Sequence, residues 1–241
     1  MPAKEKIIVA LDVPDLSAGE RLVKSLATHV GFFKVGLEFY SAAGPAAIAM
    51  VKQHGGKVFA DLKLHDIPNT VAGAARALVR QGVDILDVHA AGGRAMLTAA
   101  AGAVREEAAK AGCRAPLLLA ITVLTSLDGA ALRSEVGIER ELEEQVVHWA
   151  RLAQDCGLDG VVASPREIKA IRKACGSDFI IVTPGVRPAG AALGDQRRVM
   201  TPAEALAEGS DYLVIGRPIT ASPDPVAAAR AIAAEMDLTS R

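Results

Sequence analysis

The chain has 241 residues, with 27 Lys and Arg against 28 Asp and Glu; no basic excess exists to neutralise a nucleic-acid backbone, although a small phosphorylated ligand needs only one or two arginines. Hydrophobic residues make up 51% and aromatics only 3%, so a sizeable core must be built from Ala, Val, Leu and Ile, the branched filling that suits an α/β barrel. Three cysteines without CxxC spacing (Cys113, Cys156 and Cys175), an N-terminus without an apolar signal region and no bilayer-length apolar stretch point to a cytoplasmic protein with idle thiols and no membrane partner.

Residues 6–11 read as the first strand. Residues 15–28 read as the first helix, with Leu22, Val23, Leu26 and Ala27 at helical spacing. A strand at 31–35, a helix at 45–54 closed by Gly55 and Gly56, and a strand at 57–62 follow. A helix at 70–81 ends at Gly82, and strands occupy 83–88 and 116–122. Helix 140–156 stops at Gly157, strand 160–163 comes next, Gly176 closes another helix before strand 179–183, and strand 212–215 is last. Glycine just past a helix supplies the left-handed cap at low cost. Most of these eight strands are near-continuous apolar runs, as parallel strands covered on both faces require. Eight strand–helix units with no composition shift, and no GxGxxG after the first strand, favour a closed barrel over an open doubly wound sheet. The expected fold is α/β, a single (β/α)8 TIM barrel forming one domain over residues 1–241.

Such a barrel carries its chemistry at the C-terminal ends of its strands. Asp12 ends the first strand and Lys34 lies in the second. The third runs into Asp61-Leu62-Lys63-Leu64-His65-Asp66. Asp61 and Lys63 are two apart, so they face the same way, together with Phe59. Two carboxylates and two ammonium groups thus meet at one mouth. An ion-pair ring that merely closes the barrel is the plainer reading. Burying such charges is costly unless they are paired, however, and apolar replacements are often neutral or stabilising. Stability alone explains the set poorly.

Arg187 follows the seventh strand and Gly216-Arg217 the eighth, where this architecture repeatedly holds phosphate. Glycine admits backbone N–H groups to the anion, and arginine adds a forked cation. A glycine turn with a solvated arginine is the alternative for Gly216-Arg217 taken alone. The fifth strand ends in Thr122, with Thr125 and Ser126 just beyond. His89 ends the fourth strand and is assigned a supporting role. His65 is expected to point away by alternation, and His29, His54 and His148 fall on predicted helices. No spacing suits a three-ligand metal cluster, so neither metal nor cofactor is expected.

The segment DLKLHDIPNT at residues 61–70 closely resembles the signature of the orotidine 5′-monophosphate decarboxylase family. The bare D-x-K-x-x-D pattern also occurs in related barrel enzymes acting on sugar phosphates; Ile67-Pro68-Asn69-Thr70 makes the match specific. ALD at 10–12, FKVG at 33–36, TVLTS at 122–126, TPGVRP at 183–188, GDQRR at 194–198 and VIGRPI at 214–219 resemble the same family, in order, and its bacterial branch most.

The resemblance implies conversion of orotidine 5′-monophosphate to UMP, the last step of pyrimidine nucleotide synthesis, by a homodimer with shared active sites and no cofactor. It implies that Asp12 binds a ribose hydroxyl or the neighbouring lysine, and that Lys34 contacts the ribose and holds Asp61. Asp61 would sit beside the scissile carboxylate, and Lys63 would donate the proton. Asp66 would reach into the partner's site, with Thr70 near it. Thr125, with Ser126, would bind the pyrimidine. Arg187, Gln196, Gly216 and Arg217 would hold the phosphate, with the loop 188–196 closing over it. In some distant relatives the phosphate-closing Gln lies nearer what is here Ala189, and Gln196 is assigned in its place.

Loss of CO2 from C6 of orotate leaves an electron pair in an sp² orbital outside the ring π system. The site must therefore stabilise a localised carbanion directly. A preorganised ammonium such as Lys63, kept charged by flanking carboxylates, suits that task. The rivals are a magnesium-dependent sugar-phosphate decarboxylase or aldolase and a non-catalytic UMP-binding barrel. The intact set of Lys34, Asp61, Lys63 and Asp66 speaks against the second.

Overall fold

Short aliphatic runs pair in chain order in the computed structural model, which describes residues 1–188 and 200–238. The strands are β1 (Ile7–Ala10), β2 (Phe32–Gly36), β3 (Val58–Leu64), β4 (Ile85–His89), β5 (Leu117–Ile121), β6 (Gly160–Val162), β7 (Ile180–Pro184) and β8 (Tyr212–Ile215). Each is parallel to its neighbours, and β8 pairs back to β1, closing the barrel. All eight expected strands are present. β4 begins two residues later than expected, and β3 runs on two residues to Leu64 through a register irregularity between Ala60 and Leu64.

Alternation divides the strand residues between two apolar layers. Ile8, Phe32, Phe59, Ile85, Leu119 and Val182 pack together inside the barrel. Their sequence neighbours, such as Ile7, Val9, Val58 and Leu86, join the larger layer between sheet and helices. The strands are apolar on both faces because both faces are covered.

The helices keep close to the expected limits. Helix Leu16–Leu26 is capped by Asp15, whose carboxylate accepts the Ala18 N–H at 2.8 Å. Helices Pro45–Gln53, Pro68–Arg80 and Leu142–Asp155 correspond to the other three segments. His148 lies on the last of these. His29 and His54 are a correction: both sit in turns just past a helix, and His54 Nε2 lies 3.0 Å from Glu20 Oε1. Among the described residues no helix is long and apolar enough to cross a membrane.

One internal repeat organises the end of the barrel away from the strand C-termini. Gly-x-Asp precedes β4, β6 and β8, as Gly82-Val83-Asp84, Gly157-Leu158-Asp159 and Gly209-Ser210-Asp211. The glycines have φ of 75°, 78° and 110°, conformations that L side chains rarely adopt. Each turn aims its aspartate back at the preceding strand. Asp84 accepts the Val58 N–H, Asp159 the Leu118 N–H and Asp211 the Ile181 N–H, all at 2.8 Å. Backbone donors near the start of β3, β5 and β7 are satisfied in this way.

Candidate active site

The C-terminal mouth of the barrel encloses a cavity of about 490 Å³. Asp12, Lys34, Asp61, Lys63, Thr125, Arg187, Gly216 and Arg217 all line it, so eight residues singled out from the sequence are brought together. Ser126 is exposed and does not line the cavity, and neither do Asp66 and Thr70, which are exposed on the loop and helix start after β3. Gln196 and most of the loop 188–196 lie outside the described residues.

The charged cluster is built from three adjacent strands. Ala10 of β1 pairs with Lys34 of β2, and Gly36 of β2 with Asp61 of β3. Asp12 stands two residues beyond the end of β1. That register sets Lys34 Nζ 3.3 Å from Asp12 Oδ1 and 3.2 Å from Asp61 Oδ2. Lys63 Nζ pairs with the other oxygen of Asp61. Asp61 is only 8% exposed. Burial opposes its charge, but Lys34, a hydrogen bond from Asp87 and Lys63 outweigh burial and hold the carboxyl at about 2. Burial likewise opposes the Lys34 ammonium, and Asp61 and Asp12 hold it above the usual lysine range.

Gly36 is what allows Lys34 this position. A Cβ there would stand 2.7 Å from Lys34 Nζ. The FKVG match contains this glycine, yet nothing in the sequence says that the lysine tip folds back across it.

Lys63 has φ of 50°, the single positive value among the described non-glycine residues. Asp61 and Lys63 still reach the same cavity with Phe59, as expected. His65 does not line it, but the reason given by alternation needs correcting. Strict alternation would return residue 65 to the side of 61 and 63. The left-handed Lys63 and the register shift of β3 break the period. His65 instead stacks on His89, with ring centroids 5.3 Å apart. His89 also meets Trp149 edge-on at 6.0 Å, and its Nδ1 accepts the Ala91 N–H at 3.3 Å. Burial, then His65 and Lys63, lower its pKa. His89 lies outside the cavity lining, in keeping with a supporting role.

The wall beside β1 comes from β8, β7 and the loops after them. Pro184, Gly185, Arg187, Gly216 and Arg217 line it. Arg187 is buried, its backbone N–H donating to Met200 O and its Nη1 to Val186 O, both at 3.0 Å. Between the two charged regions lies an apolar band that the sequence reading did not pick out, including Ile121, Val123, Val162 and Ala163. Such a band admits the faces of a flat ring between two polar ends. Asp87 was also missed, although it is a charged residue inside the apolar run Ile85–His89.

Among the described residues no group of three His, Cys, Asp or Glu side chains is placed to hold a metal ion. Cys113 is exposed, Cys156 and Cys175 are buried, and all three are free.

A family model described as Orotidine 5'-phosphate decarboxylase / HUMPS family matches residues 5–232. The chain belongs to this family. The Orotidine 5'-phosphate decarboxylase of Moorella thermoacetica is 75% identical over 238 residues, covering 99% of this chain and 94% of that protein. The protein of the same name from Syntrophotalea carbinolica is 56% identical, covering 97% and 96%. Among solved structures, Orotidine 5'-phosphate decarboxylase from Lactobacillus acidophilus superposes with a TM-score of 0.85 at 40% identity, covering 96% of this chain and 98% of its own. Within a family that spans two activities, these relatives carry the decarboxylase name.

Proposed function

We propose that the Asp12–Lys34–Asp61–Lys63 cluster is the reacting end of an orotidine 5′-monophosphate site, and that Arg187, Gly216 and Arg217 grip the phosphate at its other end. The activity itself follows from family membership and from relatives up to 75% identical: the chain is an orotidine 5′-phosphate decarboxylase, producing UMP in pyrimidine synthesis. The observation that carries the assignment of residues is that the paired lysines and both arginines line one cavity.

The C6–carboxylate bond breaks, its electron pair stays on C6, and CO2 leaves. The Lys63 ammonium, held by Asp61, stabilises that pair and then delivers one N–H proton to C6. The lysine is left as the neutral amine and regains its proton from solvent. Because Asp61 and Lys34 fix the ammonium beforehand, little reorganisation accompanies the charge shift. Asp61 also stands where it would repel the substrate carboxylate. Thr125, which lines the cavity, reads the pyrimidine, whereas Ser126 stands outside the lining. Phosphate binding supplies remote binding energy that orients the reacting end, with Gln196 closing over it. Asp66 and Thr70, exposed in the single chain, complete the site of a partner subunit in a cytoplasmic homodimer.

The deciding assay mixes EDTA-treated protein with orotidine 5′-monophosphate and follows the loss of orotate absorbance. Metal-independent conversion to UMP supports this reading. No conversion, with UMP still bound, sinks it in favour of a magnesium-dependent sugar-phosphate enzyme or a binding barrel.

A further inference from the structure

Asp87 is fully buried in the middle of β4, on the inward side that it shares with Ile85. Its Oδ1 accepts the backbone N–H of Lys63 at 2.8 Å. The Asp87 side chain thus satisfies a backbone donor inside the irregular stretch of β3. A left-handed non-glycine residue is strained and persists only where its surroundings fix it. Asp87 is one such fixing contact.

Asp87 Oδ2 is buried and meets no donor among the described residues. The Asp87 carboxyl is within hydrogen-bonding reach of the Asp61 carboxyl. Two ionised carboxylates do not share such a contact in a dry interior; one proton between them turns repulsion into a hydrogen bond. Asp61 has Lys34 and Lys63 to hold its charge. From β3, Asp87 faces Asp61 and Lys63, and across the sheet its partner in β5 is the apolar Leu119. The proton therefore belongs on Asp87. Burial first, and then the Asp61 charge, push its carboxyl well above the usual range.

We propose that Asp87 is a positioning residue for the decarboxylation: as a neutral acid it accepts the Lys63 backbone N–H and donates its own O–H to Asp61, fixing both members of the reacting pair. A carboxylate can accept further bonds beyond those from Lys34 and Lys63, so this donation displaces neither. Neutrality matters as well. Asp12, Lys34, Asp61 and Lys63 balance in charge, whereas an ionised Asp87 would add net negative charge beside an anionic substrate. The inference rests on the role given to Lys63 above.

The test compares the wild type with Asp87→Asn, whose amide can make both bonds, and Asp87→Leu, which can make neither. Orotidine 5′-monophosphate turnover is measured alongside the infrared spectrum at neutral pH. The wild type should show the C=O stretch of a protonated carboxyl that is missing in Asp87→Asn. Asp87→Leu should lose roughly a hundredfold in kcat, the scale of a small misplacement of a reacting group, with KM little changed; Asp87→Asn should restore most of that loss. Absence of the protonated-carboxyl band overturns the proposal even if the leucine variant does not fold. So does an asparagine variant as slow as the leucine variant, or a leucine variant as fast as wild type. A wild type that binds UMP but turns nothing over, with the infrared band present, would instead count against the proton-donor role of Lys63.

Discussion

Lys34 Nζ stands 3.2 Å from Asp61 Oδ2, joining β2 to β3 at the mouth of the barrel where both side chains are almost hidden from solvent. The pair leaves the second oxygen of Asp61 for Lys63, so one buried carboxylate orients two ammonium groups. Each partner suppresses the desolvation cost of the other, and removing either leaves a poorly compensated charge.

Asp61 should make stability acid-sensitive in a defined window. Its carboxyl sits at about 2 in the folded chain against an ordinary value of 3.8. Between those values the folded protein binds fewer protons than the unfolded chain. The Asp61 contribution is thus complete above about pH 4 and is lost as pH falls through about 2; it amounts to about 2 kcal/mol. Asp87 is already protonated in this range and does not obscure the change. Urea unfolding of wild type and Asp61→Asn at successive pH values should show the stability difference shifting against the wild type below about pH 4. A difference independent of pH contradicts the ionised, paired state of Asp61.

Gly36→Ala should separate activity from stability. Its backbone is extended, with φ of −94° and ψ of −175°, so alanine is tolerated there. The new Cβ would crowd the flexible tip of Lys34, at 2.7 Å, and reach Asp12 Oδ1 at an ordinary 3.7 Å. The melting temperature should barely move. The displaced ammonium should reduce kcat/KM by about tenfold or more. Unchanged kcat/KM would show that the placement of Lys34 against Asp12 is dispensable.

Lys63→Ala should fold, because Lys34 still pairs Asp61. It should lose at least about a thousandfold in turnover, since proton donation and carbanion stabilisation disappear together. Circular dichroism verifies the fold and the orotate absorbance assay the rate. Turnover within tenfold of wild type, or about 1.4 kcal/mol in barrier, would remove Lys63 from its role.

The shared-site proposal has its own test. Asp66→Ala and Lys63→Ala proteins should each be inactive alone. In a hybrid dimer one site recovers an intact Lys63 from one chain and an intact Asp66 from the other. Random exchange at equal amounts makes about half the dimers hybrid, so about a quarter of wild-type activity should return. No recovery under demonstrated subunit exchange would mean that Asp66 serves its own chain or none.

Local pattern made much of this protein legible. Apolar runs of strand length, glycines just past helices and the absence of a dinucleotide fingerprint were enough for a closed eight-stranded barrel. A period of two placed Phe59, Asp61 and Lys63 on one face. The Gly-x-Asp turns before β4, β6 and β8 repeat in the sequence but were not picked out there, because only the closed sheet shows that each aspartate caps the preceding strand. What tertiary structure alone decided lies where the period fails. No sequence signal announces a lysine at φ of 50°, because that conformation is imposed by strand register and by a carboxyl from the neighbouring strand. The same irregularity turns His65 out to His89 and brings Asp87, 26 residues from Asp61 along the chain, against it. Alternation is a property of a single strand, whereas a bulge, a shared proton and a cavity depend on groups that meet only when the barrel closes.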